Sequence, residues 1–175
     1  MNTLNDFLHV KRLAIQEREQ RIADGTEPIM ELKATCVAAG RSGVRHIRIR
    51  DHQILNDSPP NFAGFDLGPS TPETMIGVLA ACVVHIFEMH AAAREVPLES
   101  LEVEAKGSYD PRAGKPGFDD VPIHPYGIEY VVHVVSPASE EDIQAVFTEV
   151  ERTCPVLSLL RHPQDVRSTV NHVQP

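Results

Sequence analysis

The most reactive side chains in this 175-residue chain are its three cysteines, Cys36, Cys82 and Cys154. A thiol acts as a nucleophile only as thiolate, and an unperturbed cysteine, with a pKa near ~8.5, is mostly protonated at neutral pH. Reactivity at any of them therefore needs a positive charge nearby. Cys82 lies within the apolar run MIGVLAACVVHIF, where Ala80, Ala81 and Val83 leave room above the sulfur. Cys154 follows Val150 by four positions at the end of an amphipathic stripe. Cys36 alternates in phase with Met30, Leu32, Ala34 and Ala38, which points it with core residues and makes it structural. A lone cysteine in an apolar helix is commonly core filler, so packing stands beside chemistry as a reading of Cys82.

The element that carries Cys82 organises the chain. From Met75 to Met89 nearly every position is apolar or small, with Met75, Ile76, Val78, Leu79, Val83, Ile86 and Phe87 on all sides of a helix. Such a helix has no solvent face and is expected to be buried. Ser70 or Thr71 suits the cap, Pro72 the first helical position, and Glu73 the positive end of the dipole. Cys82 lies nine residues beyond Glu73, about 14 Å along the axis, whereas the dipole's effect fades within one turn. Burial would raise the Cys82 pKa, so the fold must supply a cation from elsewhere.

The other elements follow from period and punctuation. Residues 2–23 read as a charged helix with a weak apolar face (Leu4, Phe7, Leu8, Ile15, Ile22), suited to packing late or against a partner subunit. Residues 29–38 read as a strand with one buried face, AGRSG as a turn, and VRHIRIR and DHQILND as further strands. PPNFAGFDLGP is a loop whose Phe62 and Phe65 are able to wall a pocket or merely anchor a linker. LESLEVEAKGSYD and YGIEYVVHVVS read as an antiparallel pair joined by a mobile Pro/Gly/Asp-rich loop over residues 110–125. Ser139 caps a helix with three acids in its first turn, and Pro155 ends or bends that helix at the Cys154 sulfur. VRSTVNHV is expected as a short last strand. This order predicts an α+β fold with antiparallel sheets around a buried central helix.

Composition narrows the function. A length of 175 with 42% hydrophobic residues suits one core, and a net charge of −9 argues against nucleic acid, since phosphate neutralisation needs surplus Lys and Arg. Three cysteines and no signal-like segment point to a reducing cytoplasm. His85, Glu88 and His90 interrupt residues 75–93, so no membrane span is expected.

The pattern PSTPETMIGVLAAC, followed by TCPV, resembles the OsmC/Ohr family of osmotically inducible and organic hydroperoxide resistance proteins, in its OsmC-like branch. The resemblance covers roughly residues 28–173 and divides the chain into an N-terminal helical extension, 1–27, and an OsmC-like domain, 28–175. It implies an intertwined homodimer with the central helices in the middle, and a thiol-dependent peroxidase of the oxidative stress response. In that role Cys82 attacks an organic hydroperoxide and Cys154 resolves the sulfenic acid as a disulfide, which an external dithiol reductant, of lipoyl type or another small dithiol, reopens. No bound cofactor or metal is implied. The AGRSG turn resembles the family turn whose arginine reaches the thiol, which makes Arg41 the candidate cation and Arg45 the second. Glu73, from the family's P-E motif, would hold that arginine. Nine residues put Glu73 and Cys82 on opposite sides of a helix, so the arginine must bridge them. Members of this branch with the shorter spacing are often without an established substrate. Two other classes therefore stay open, a non-catalytic dimeric binding protein for small apolar ligands and a thiol–disulfide exchanger. The face Cys82, His85, Met89 is a weaker candidate for a soft metal.

Overall fold

The computed structural model describes residues 3–174. Helix α1 (Leu4–Ala23) starts at a capping box in which Thr3 Oγ1 accepts from the Asp6 amide and the Asp6 carboxylate accepts from the Thr3 amide; Asn2, the first residue expected in this helix, lies outside the described residues. α1 packs within its own chain. Leu8 is in the core, Leu4, Phe7 and Ile15 lie against it, and Asn5 Oδ1 accepts from the Leu98 amide at 2.8 Å. Arg18 and Arg21 then converge on the Glu27 carboxylate at 3.0 and 2.7 Å, which turns the chain out of the helix.

Strands β1 (Thr35–Ala39), β2 (Val44–Ile49) and β3 (His52–Asn56) form an antiparallel meander. Two expectations fail here. The first strand is shorter than 29–38, because the ladder ends at Thr35 opposite Arg48 and residues 28–34 have no strand beside them, leaving Leu32 87% exposed. Cys36 is exposed rather than in the core: it pairs with Ile47, which pairs with Ile54, and this apolar row has no covering layer in the chain.

Two buried polar residues at the end of β3 join this sheet to the helical body. Asn56 Nδ2 donates to Pro69 O (2.9 Å) and to Thr74 Oγ1. The Asp57 carboxylate accepts from the amides of Ser58, Phe65 and Leu67 at 2.8, 3.0 and 3.1 Å, which winds residues 58–67 into a tight loop and lowers its pKa. A Cβ on Gly64 would overlap Ser58 O at 1.8 Å, so only glycine closes that loop.

Helix α2 (Thr71–Ala93) is capped by Ser70, whose amide also donates to Glu73 Oε2 at 2.7 Å. Leu79, Val83 and Phe87 are fully buried against α1, α3 (Glu140–Thr153) and α4 (Pro155–Arg161), with Val146, Val150 and Leu157 among their partners. Burial is nonetheless one-sided. Gly77, Val78, Ala81 and His85 form an open stripe, with Val78 45% exposed, because the elements of one chain do not encircle the helix. Contrary to the sequence expectation, α2 is long and apolar enough by composition to cross a bilayer, with a mean hydropathy of 1.7. A third of that apolar window, including Leu79, Val83 and Phe87, is buried in the core of the chain.

β4 (Ser100–Ser108) and β5 (Tyr126–Val135) pair antiparallel as expected, with Leu101 opposite Val134 and Val103 opposite Val132 facing the core. The loop between them is anchored by Arg112, which grips Asp110 (Nη2 to Oδ2 2.6 Å) and lies over the Phe118 ring. Residues 166–173 form no strand, since no neighbouring strand lies beside them, and Val170 is 90% exposed. The architecture is α+β with two separate antiparallel sheets.

Candidate functional site

Pro155 builds the thiol pair. Lacking an N–H, it cannot continue α3, so the chain breaks at Cys154, which has extended backbone (φ −67°, ψ 113°), and restarts as α4 with Pro155 in its first turn. Cys154 is thus both the C-cap of α3 and the N-cap of α4, and this elbow presses it against the middle of α2. The Cys82 and Cys154 sulfurs are 3.5 Å apart, with the Cys154 thiol donating to Cys82. A disulfide needs about 2.05 Å, so closure is a movement of about 1.5 Å. The two sulfurs differ in access: Cys154 is 1% exposed, whereas Cys82 is partly open. A reagent from solvent meets Cys82 first.

Burial pushes the Cys82 pKa up. The Val156 amide, a free N–H in the first turn of α4, donates to this sulfur and pulls the other way, while the Cys154 thiol raises it further. Burial dominates, so within one chain Cys82 is held as the thiol.

The structure does not bring the other three candidates, Arg41, Arg45 and Glu73, to this pair. Arg41 is exposed in the β1–β2 turn, on the sheet joined to the body through Asn56 and Asp57. Arg45 reaches Gly43 O and Ser58 Oγ at 3.4 and 3.5 Å, beside the Asp57 loop. The Glu73 carboxylate is occupied at the α2 cap, and hydrogen bonds from Ser70 lower its pKa. It opens onto a groove of about 610 Å³ lined also by Ile76, Gly77, Ala80, Val103 and Tyr130, and neither sulfur lines it. The groove and the sulfurs lie on different sides of α2, as the nine-residue spacing requires.

Sequence reasoning missed three contacts around the pair. One is the Val156 amide, legible only in the rule that proline restarts a helix. Another is His90, whose Nε2 lies 2.8 Å from Thr153 Oγ1; that hydroxyl donates to Glu149 O, so the imidazole donates and ties α2 to the residue before Cys154. Burial lowers the His90 pKa. The third is His85, whose Nδ1 is 3.4 Å from Lys11 Nζ on α1. Among the described residues no group of three His, Cys, Asp or Glu side chains is placed to hold a metal ion.

The fold and the helical thiol pair define a class. The profile of the OsmC-like protein family matches residues 64–169, which contain both sulfurs, and the chain belongs to that family. Among solved structures it is similar to an OsmC-like protein from Mycoplasma pneumoniae, with 21% identity over 77% of this chain and 89% of that one and a TM-score of 0.64. It is also similar to the organic hydroperoxide resistance protein OhrB of Bacillus subtilis, with 19% identity over 77% and 93% of the two chains and a TM-score of 0.52. A third is an organic hydroperoxide resistance protein from Vibrio cholerae with captopril in one of its active sites, with 18% identity over 79% and 90% and a TM-score of 0.54. At these identities the likeness is one of fold. A search of curated proteins gave no match.

Proposed function

We propose that this chain is a thiol-dependent peroxidase that reduces organic hydroperoxides through Cys82, with Cys154 as the resolving thiol. The observation that carries the reading is the sulfur pair, 3.5 Å apart, with one member open and the other buried. The Cys82 thiolate attacks the terminal peroxide oxygen; an S–O bond forms, the O–O bond breaks and the alcohol leaves. Cys154 then displaces water from the sulfenic acid to give the disulfide. An external dithiol, of lipoyl type or another small dithiol, reduces it by exchange. The apolar walls around the sulfurs favour an organic over an inorganic peroxide, and the likeness of fold to organic hydroperoxide resistance proteins supports the same class.

The active unit is a homodimer in the cytoplasm. Supporting the dimer are the bare stripe of α2, the open apolar row of the β1–β3 sheet, and the exposed valines and leucine of residues 28–34 and 166–173. A second copy would cover these surfaces and bring the cation Cys82 needs, with Arg41 as that cation and Glu73 as the group orienting it. A different reading, a non-catalytic binding protein, draws on the raised Cys82 pKa and the groove beside Glu73.

Steady-state consumption of cumene hydroperoxide with dihydrolipoamide as reductant tests the proposal. The wild type is expected to turn over, Cys82→Ser to be inactive, and Cys154→Ser to lose sustained turnover with this reductant. Turnover that survives Cys82→Ser would overturn the assignment. Absence of turnover with ready disulfide exchange would favour the exchanger, and absence of both the binding protein.

A further inference from the structure

We propose that His90 is a positioning residue for the resolving step, holding the α3–α4 elbow on α2 through Thr153 so that Cys154 reaches the oxidised Cys82 before a second peroxide does. The proposal rests on the peroxidase reading above. The step at stake joins the Cys82 sulfenic acid and the Cys154 thiol into a disulfide and releases water. Its competitor is attack of the same sulfenic acid on a second hydroperoxide, which gives the sulfinic acid and an alcohol and which a dithiol does not reverse. How well Cys154 is held decides between them.

The elbow is weakly tied by construction. Pro155 has no N–H for Glu151 O, and the Val156 amide is turned to the Cys82 sulfur. The Cys154 N–H donates to Val150 O and the Ser158 N–H to Cys154 O, both at 2.9 Å, but these bonds fix each helix to Cys154 and not the elbow to α2. Among the described residues, two side-chain hydrogen bonds join α2 to the elbow: the thiol pair, which the reaction consumes, and His90 to Thr153. The remaining attachment is apolar packing in the shared core, which includes Val83, Phe87, Val150 and Leu157 and has no direction of its own.

The two ties meet α2 eight residues apart, about 12 Å along its axis, and meet the elbow at adjacent residues. Attachment at two points fixes how the elbow is turned on α2, which one tie leaves free. The second tie is also directional. Thr153 Oγ1 donates to Glu149 O at 2.7 Å, which leaves its lone pairs for the ring, and the His90 Nε2–H meets them at 2.8 Å. Both residues are half-buried, and burial keeps the ring neutral at pH 7. The sulfurs start 3.5 Å apart and must close to about 2.05 Å, so a turn of the elbow that shifts Cys154 by about 1 Å is a large part of the whole movement. No part of this arrangement needs access from solvent, so it holds equally when a second copy covers the open stripe of α2.

The test separates the two steps. Full-length reduced protein is mixed with excess cumene hydroperoxide, quenched at intervals and read by intact mass, which distinguishes the sulfenic acid, the disulfide and the sulfinic acid. The wild type is compared with His90→Ala, Thr153→Val, the double variant, and the conservative His90→Gln and Thr153→Ser. His90→Ala and Thr153→Val are each expected to slow disulfide formation about tenfold and to raise the sulfinic share, while the first oxidation of Cys82 changes by less than about twofold. The double variant should be no slower than either single one, and His90→Gln and Thr153→Ser, which keep the donor and the hydroxyl, should recover most of the rate. Unchanged closing, an equal slowing of both steps, or losses that multiply in the double variant would overturn the proposal. Closing is also driven with diamide, at concentrations where the rate no longer rises; Cys154 displaces the adduct formed on Cys82, and no peroxide takes part. A wild type that closes with diamide but does not react with hydroperoxide would overturn the peroxidase reading instead, and the His90→Ala rate with diamide then decides the positioning role alone. A wild type that closes with neither reagent overturns both.

Discussion

The α2–α3–α4 body and the β1–β3 sheet treat their apolar and reactive residues in opposite ways. In the body, Leu79, Val83, Phe87, Val146 and Val150 are buried, and the two sulfurs are fixed by a helix cap and a proline break. In the sheet, Cys36, Ile49, Ile54 and the preceding Leu32 are exposed, and the arginines of β2 and its turns face solvent or the Asp57 loop. One chain therefore completes a sulfur pair but leaves it with burial raising the Cys82 pKa. The sheet holds the spare cations and the uncovered apolar surface, which is what a part used by a second copy would hold.

The sharpest way to break this comparison is by packing. Phe87→Ala in the body should cost about 3–5 kcal/mol in chemical denaturation, with a cavity left among Leu79, Val146 and Val150. Phe62→Ala, at a site 80% exposed, should cost less than about 0.5 kcal/mol. Comparable losses would mean that the loop before α2 is covered as the body is. The next effect is electrostatic. If Arg41 of a second copy faces Cys82, Arg41→Ala should raise the Cys82 pKa by about one unit and slow its alkylation at pH 7 about tenfold. The same rate in both proteins would leave the sulfurs without help from the sheet.

The smallest effect is confined to a pH window. The folded pKa of His90 lies below the ordinary value of 6.5, so the unfolded chain takes up its proton first as pH falls. The stability from the His90–Thr153 contact is full above about pH 6.5 and is lost as pH falls through the lower folded value. His90→Gln should flatten that part of the stability curve in thermal melts from pH 7 to pH 5. An unchanged slope would mean that the histidine is not the titrating latch.

Much of this arrangement was legible in the sequence. The Ser70 cap with Glu73, the helix after Ser139, the break at Pro155 and the β4–β5 pair are all local signals of cap, period and turn, and they appear where expected. The sequence also marked both helical cysteines as candidates for one site. What failed depends on neighbours rather than on local chemistry. The alternation of residues 29–38 and 166–173 gives strand character, but a strand needs a partner, and the chain supplies none over residues 29–34 and 166–173. All-round apolarity made α2 read as fully enclosed, while one chain covers only part of it. Asn56 and Asp57 gave no signal, because their role comes from partners that close back on them from 8 to 18 residues along the chain. The contacts of His85 and His90 were equally silent, since each joins elements far apart in the chain.

The most direct measurement is free-thiol titration with intact mass before and after one equivalent of cumene hydroperoxide, on the wild type and on Cys154→Ser. The expected result is loss of the Cys82 and Cys154 thiols with a mass lower by two hydrogens in the wild type, and one added oxygen on Cys82 in the variant. Thiols that remain unchanged, or oxidation confined to the exposed Cys36, would contradict a Cys82 peroxidase and leave the sulfur pair as packing.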